Sequence, residues 1–131
     1  MAWHSYSLDR KAQQLVLDAR TRDPQSLNQA YKMRMATAYG LERFWGEHLR
    51  LQGKEQTKSE FWKQTWDSLV EVMGEAGVAL PNDSVQSENT AEIQTMSDKL
   101  WQICIDDQRV ALAVLTQLCD GIVWWTQRYK P

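Results

Sequence analysis

The spacing of apolar residues predicts helices along almost the whole chain. Over residues 7–22, apolar side chains recur every three to four positions, which places them on one face of an α-helix. Asp23 and Pro24 end this helix and begin a second one, because Asp is a favoured N-cap and Pro is tolerated at the first helical position. We expect the second helix to continue as one long rod over residues 24–52, until Gly53 stops it.

A third helix and a long loop follow. Thr57 and Glu60 have the spacing of a capping box, and the apolar period around them predicts a helix over residues 57–77. The next stretch is polar, contains Pro81 and loses the helical period. It predicts a long surface loop over residues 79–90.

Two more helices complete the chain. The fourth is expected over residues 91–105, with Trp101 and Cys104 among its buried side chains. The fifth is expected over residues 108–129. Its polar side chains occupy only about a quarter of the helical circumference, so most of its surface should be packed.

Together these segments predict an all-α protein. No stretch reads convincingly as a strand, and the helices do not share a common heptad. Helices joined by mostly short connections bury their apolar faces against one another, so we expect a compact antiparallel bundle of about five helices. At 131 residues the chain has the size of one domain, and we expect residues 1–131 to form a single domain.

Composition favours a soluble, cytoplasmic protein. Hydrophobic residues make up 43% and charged residues 24% of the chain, which argues against disorder. Cys104 and Cys119 lie in apolar helical stretches without metal-ligand spacing, so we interpret them as buried, reduced thiols. The first residues lack the pattern of a secretory signal. The longest apolar stretch, residues 110–125, is interrupted by polar residues and is too short for a membrane span, so no membrane contact is expected.

The charges of the chain are segregated. Residues 1–64 carry eleven Lys and Arg against seven Asp and Glu, whereas residues 65–131 carry four against ten. The net charge of −2 therefore combines a basic half with an acidic half. Such asymmetry predicts two kinds of neighbour, a polyanion on one side and protein on the other.

A basic stripe on the second helix is the best candidate for a binding site. With about 100° per residue, four of its side chains project within about 20° of one another, and Lys54 would continue their line. The four are Lys32, Tyr39, Arg43 and Arg50. Cations spaced along a rod can follow the phosphates of a strand, and an aromatic ring between them can stack on an exposed base. The alternative is an ordinary solvated helix face, which Glu47 beside the stripe favours.

Seven tryptophans form a second pattern. Four of them have positions on apolar helix faces and are expected in the core: Trp45, Trp62, Trp66 and Trp101. Trp124 and Trp125 point about 100° apart and cannot both face one neighbouring helix. Either both are buried on two sides of a central helix, or one of them, more readily Trp124, anchors a protein partner.

The sequence contains no recognisable catalytic or metal-binding motif. His48 lies on an apolar helix face and His4 in a terminal segment that is expected to fray, and no Cys or His pair has the spacing of a zinc site. Asp67, Glu71 and Glu75 follow the polar face of the third helix and are interpreted as a solvated acidic face. Nucleophile motifs and phosphate-binding glycine loops are missing. We therefore expect no catalytic residues, no metal and no cofactor.

The chain resembles the small subunit of CRISPR effector complexes. The resemblance is one of form over the whole chain and rests on no motif: a short all-helical bundle, the basic helix with Lys32, Tyr39, Arg43 and Arg50, and an opposed acidic half. In that family, short helical bundles line the body of a ribonucleoprotein. They contact the guide RNA or the displaced single strand through basic faces.

The resemblance implies a non-catalytic subunit of a multi-protein complex. Such a subunit holds single-stranded DNA or guide RNA through its basic helix face, and neighbouring subunits through apolar and acidic faces. The alternative is a helical adaptor or assembly factor that binds only protein, through Trp124 and the acidic face. A third alternative is an enzyme whose site appears only in the fold. Charge reversal at Lys32, Arg43 and Arg50 separates the first two hypotheses, because it should abolish binding only in the first.

Overall fold

The computed structural model of the protein describes residues 5–131, with side chains from Ser7 onward. Trp3 and His4 lie outside the described residues, and so does the terminal segment that was expected to fray. Within the described range the chain is all-helical and forms no strand, which confirms the predicted fold class. The α-helices of this range are α1 (Ser5–Arg22), α2 (Ala30–Ala36), α3 (Leu41–Leu51), α4 (Gln56–Glu75), α5 (Thr90–Trp101) and α6 (Ile105–Tyr129).

These six α-helices of residues 5–131 correct the expectation of about five. The difference lies in residues 24–52, which were expected to form one rod and instead form α2, α3 and two 3₁₀ helices, Pro24–Gln29 and Thr37–Tyr39. Asp23 caps the first of them as predicted, since its Oδ1 accepts a hydrogen bond from the Gln25 backbone N–H at 3.0 Å. The break before α3 falls at Gly40, whose φ of 98° lies outside the helical range.

The helices surround a hydrophobic core to which each of α1–α6 contributes buried apolar side chains. α6 packs against α1 and α2, and α3 packs against α4. Trp45, Trp62 and Trp66 are fully buried, as predicted from their places on apolar faces. No helix of residues 5–131 combines the length and the apolarity that crossing a membrane requires.

The corner between α5 and α6 differs from the sequence prediction. α5 ends at Trp101, and Cys104 takes the N-cap position of α6 instead of lying inside a helix. Trp101 and Cys104 were expected in the core, but both are exposed. Leu100 takes the core position at the end of α5, and Trp101 projects about 100° away from it.

The connection between α4 and α5 spans residues 76–89 and is tied to the helices that it crosses. Leu80 and Val85 insert into the core. The Gln52 side chain accepts a hydrogen bond from the Ser87 backbone N–H at 2.8 Å, and the Trp66 indole donates to the Pro81 carbonyl at 3.3 Å. The connection therefore contributes to the core although it has no helix of its own.

Candidate nucleic-acid contact site

Three of the five predicted contact residues lie around one cleft. Lys32 comes from α2, Tyr39 from the 3₁₀ helix Thr37–Tyr39, and Arg43 from the first turn of α3. The cleft has a volume of about 310 Å³ and is open to solvent. Its remaining lining residues are Met35, Ala36, Glu47 and Trp62.

The turn at Gly40 determines this arrangement. A continuous helix over residues 24–52 would have spread the basic side chains along a rod, as the helical wheel predicted. The predicted straight stripe is therefore wrong. The break gathers Lys32, Tyr39 and Arg43 at the junction of α2 and α3 instead.

Tyr39 and Arg43 form the exposed centre of the cleft. The Tyr39 side chain is 69% exposed, and the guanidinium carbon of Arg43 lies 4.8 Å from the centroid of its ring. This cation–π contact holds the guanidinium beside an aromatic surface. A cation and an accessible ring are thus presented together.

Arg50 and Lys54 differ from the other predicted contact residues. The Arg50 guanidinium donates two hydrogen bonds from Nε and one from Nη2 to the Glu47 carboxylate, at 2.7 to 3.1 Å. This contact raises the pKa of Arg50 and neutralises its charge locally. Lys54 is exposed in the turn after α3 and does not line the cleft.

The positive charge of the cleft is not cancelled by ion pairing. Six of the eleven cations in residues 1–64 form ion pairs with carboxylates: Lys11, Arg22, Arg34, Arg50, Lys58 and Lys63. Lys32 and Arg43 form none within the described residues. The nearby Glu55 has a lowered pKa because it accepts a hydrogen bond from Lys58, with a smaller contribution from the charge of Lys32.

Part of the charge segregation is neutralised inside the fold. Lys11 pairs with Glu71 at 2.8 Å, and Arg34 pairs with Asp120 at 2.5 Å, so both pairs join the basic half to the acidic half. Asp67 pairs with Lys63 in α4. The acidic face of α4 is therefore partly engaged in ion pairs instead of being only solvated.

Trp124 and Trp125 have different environments. Trp124 is 55% exposed and lines a second cleft of about 370 Å³ together with Asp9, Gln117 and Asp120. Trp125 is half-buried and stacks on Tyr129, with ring centroids 5.9 Å apart. The surface accordingly presents Trp124 far more than Trp125.

His48 is a buried structural residue. Its Nδ1–H donates a hydrogen bond to the backbone carbonyl of Trp45, and its ring meets the Trp45 ring edge-on at 5.4 Å. Burial lowers the pKa of His48, because it disfavours the charged imidazolium. Within residues 5–131, no group of three or more His, Cys, Asp or Glu is placed to hold a metal ion.

Sequence reasoning missed the apolar side of the cleft. Met35 is exposed beside Lys32 and Tyr39, and Trp62 of α4 lies beneath them. A wheel drawn on one straight helix could not bring these side chains together. The sequence feature that could have revealed this junction is Gly40, because a glycine within a helical pattern often marks a break.

Comparisons with protein families, curated proteins and solved structures give no match to this chain. The fold and the site define its class: an all-helical protein whose α2–α3 junction presents a cationic and aromatic cleft.

Proposed function

We propose that the protein is a non-catalytic subunit of a nucleoprotein assembly of the CRISPR effector type. In this proposal it holds the backbone of single-stranded DNA or guide RNA in the cleft of Lys32, Tyr39 and Arg43. One observation carries the proposal: two cations without an ion-pair partner in the described residues converge with an exposed ring on one open cleft. Cations bind phosphates, and exposed rings stack on unpaired bases.

We further propose where the protein acts and with what it assembles. Its helices form a single compact antiparallel bundle, which works in the cytoplasm together with other subunits. Two phosphate contacts bind weakly by themselves, so the isolated protein is expected to have low affinity. Neighbouring subunits then provide the remaining binding energy of the assembly.

Fluorescence anisotropy of labelled single-stranded DNA, single-stranded RNA and duplex DNA tests the proposal across a salt series. Two phosphate contacts on a single strand predict a log–log salt slope of about −1.4. The double variant Lys32→Glu with Arg43→Glu should lose binding. A matched variant, Arg10→Glu with Lys54→Glu, changes the net charge equally at exposed positions outside the cleft and should keep most of it.

Two results would count against the proposal. The first is no binding of any strand at low salt. The second is an equal loss of binding in both double variants, because net charge would then explain the binding without the cleft.

A protein-binding adaptor is the second candidate function. It is favoured by Trp124, which stays exposed at a cleft lined by the carboxylates of Asp9 and Asp120. In this case Trp124→Ala should remove a partner that is retained by the Lys32→Glu, Arg43→Glu variant. Co-purification of both variants with the same tagged partner measures the difference.

A further inference from the structure

The corner between α5 and α6 exposes two large apolar side chains. Trp101, the last residue of α5, is 66% exposed, and Ile105, the first residue of α6, is 67% exposed. Cys104 lies between them and is also exposed. Tryptophan in particular is enriched among the residues that dominate binding energies at protein interfaces.

Core packing and two hydrogen bonds hold the corner in shape. Ile103 packs against the core, and its carbonyl accepts a hydrogen bond from the Gln108 side chain at 2.7 Å. The Gln102 backbone N–H donates to the Asp98 carbonyl at 3.1 Å. A surface that is ordered before binding loses less conformational entropy when a partner docks.

Three carboxylates lie within three residues of Trp101 or Ile105 along the chain. Asp98 precedes Trp101 by three residues, almost one helical turn, and Asp106 and Asp107 directly follow Ile105. None of these three carboxylates forms an ion pair within the described residues.

The cations near the corner do not cancel this charge. Lys99 is bound to Asp83 at 2.6 Å. Arg109 is the other cation of residues 98–109, so these residues carry three carboxylates without an ion pair against one unpaired cation within the described residues. The corner therefore complements a surface that carries an apolar side chain between Lys or Arg residues.

We infer that the corner of Trp101, Cys104 and Ile105 is a docking surface for a basic amphipathic segment of a partner protein. An apolar side chain of that segment packs on Trp101 and Ile105, and its Lys or Arg residues pair with Asp98, Asp106 and Asp107. The inference extends the proposed function by naming a protein-facing surface. It rests on that function only for the existence of a partner and not for nucleic-acid binding at the cleft.

Cys104 provides a probe at the corner itself. Cys119 is buried, and burial raises the pKa of its thiol, so a maleimide fluorophore should attach to Cys104. The labelled protein is titrated with a short helical Leu/Lys peptide and with its Leu/Glu counterpart. We expect a saturable fluorescence change with the Lys peptide and none with the Glu peptide.

Two variants test the two parts of the surface. Trp101→Ser should weaken binding of the Lys peptide roughly tenfold or more, because it removes the apolar anchor. The triple variant Asp98→Asn, Asp106→Asn, Asp107→Asn should weaken it comparably and reduce its salt dependence. Ile105→Ser serves as a second apolar variant if Trp101→Ser alters the circular dichroism spectrum.

The variant Lys32→Glu with Arg43→Glu should bind the Lys peptide like the parent, which separates this inference from nucleic-acid binding at the cleft. Failure to bind either peptide would overturn the inference, provided that anisotropy of labelled peptides with unlabelled protein, in which no fluorophore at Cys104 covers the corner, gives the same result. Equal binding of the Glu peptide, or unchanged binding by the Asn variant, would overturn its charge argument. Sedimentation velocity tests whether a second copy of the chain occupies the corner. A dimer that Trp101→Ser dissociates would assign the corner to self-association instead.

Discussion

His48 is a titratable side chain whose environment in the folded state differs strongly from water. It is buried against Trp45, and the Ser59 hydroxyl donates a hydrogen bond to its backbone carbonyl at 2.6 Å. Burial lowers the pKa of the imidazole below its ordinary value of 6.5, and the charge of Lys63 acts in the same direction. The hydrogen bond to Trp45 and the charge of Asp67 oppose this shift without reversing it.

The lowered pKa of His48 predicts that the protein loses stability on mild acidification. The unfolded chain binds the proton at a higher pH than the folded chain, so the free energy of unfolding should decrease as pH falls below the unfolded pKa and level off below the folded one. Urea denaturation between about pH 7.5 and about pH 5.5 measures this decrease. His48→Gln, which stays neutral, should show a smaller decrease.

The comparison of the parent with His48→Gln isolates one side chain, because the other histidine, His4, is present in both proteins. Equal pH dependence of the free energy of unfolding would contradict the prediction.

Neighbouring residues also decide which cations remain available at the cleft. Arg50 and Arg43 belong to the same helix, and both are exposed. Glu47 lies three residues before Arg50 and binds it, whereas Arg43 contacts the Tyr39 ring. Sequence spacing predicted both as equivalent members of a stripe. They differ because the Glu47 carboxylate binds the Arg50 guanidinium and not that of Arg43.

Gly40 is the residue that separates α2 from α3 at the level of the elements. Its φ of 98° and ψ of 175° belong to a backbone region that is almost restricted to glycine, and apart from Gly40 and its two chain neighbours no residue has an atom within 4 Å of a Cβ added there. Any cost of a side chain at this position therefore comes from the backbone conformation and not from a clash.

We predict that Gly40→Ala reduces the free energy of unfolding by about 1–3 kcal/mol. Gly74→Ala is the matched control, because Gly74 lies inside α4 and a Cβ there also has open space. It should be neutral or stabilising by up to about 1 kcal/mol. Urea denaturation of the two variants measures the difference, and equal effects would contradict the special role of Gly40.

The α1–α6 interface depends on a second glycine for a different reason. A Cβ at Gly121 would lie 2.9 Å from the Cβ of Ala12, so α1 and α6 would have to move apart. We predict that Gly121→Ala destabilises the protein by about 1–3 kcal/mol. The double variant Gly121→Ala with Ala12→Gly should recover part of this loss, and thermal denaturation measures the recovery. Without recovery, close packing against Ala12 is not the cause.

The elements could be predicted from sequence where an apolar period continued without interruption. α1 and α4 follow such periods, and Asp23 supplied a cap that the structure contains. The prediction failed at Gly40 and at Trp101, where the chain leaves the helical path within a pattern that still looks helical. A helical wheel assumes a straight axis, so it misplaced the side chains at these two bends.

At the scale of the whole molecule, the halves that differ in charge are folded together. The pairs Lys11–Glu71 and Arg34–Asp120 connect them across helices that are distant in sequence. Sequence counts predicted a basic and an acidic side. Ion pairs between helices reduce this difference in charge. They leave positive charge at the cleft and negative charge at the α5–α6 corner. These locations depend on long-range contacts, which a local pattern cannot provide.

The helices are also unequal in how firmly they are attached to the molecule. α5 packs chiefly against α3 and buries Met96, Ser97 and Leu100, whereas α6 packs against both α1 and α2 and buries side chains along most of its length. The free energy of local opening is smallest where few apolar contacts must be broken. α5 should therefore open more readily than the rest of the bundle.

We predict that backbone amides of α5 exchange with deuterium faster than those of the middle of α6, as measured by hydrogen exchange with mass spectrometry. Leu100→Ala should accelerate exchange in α5 while leaving α6 nearly unchanged, because Leu100 is a core contact of α5. Ala113→Gly, at an exposed position of α6, is the control and should affect α6 only. If α5 and α6 exchange together in every variant, the molecule opens as one unit, and the weak attachment of α5 has no energetic consequence.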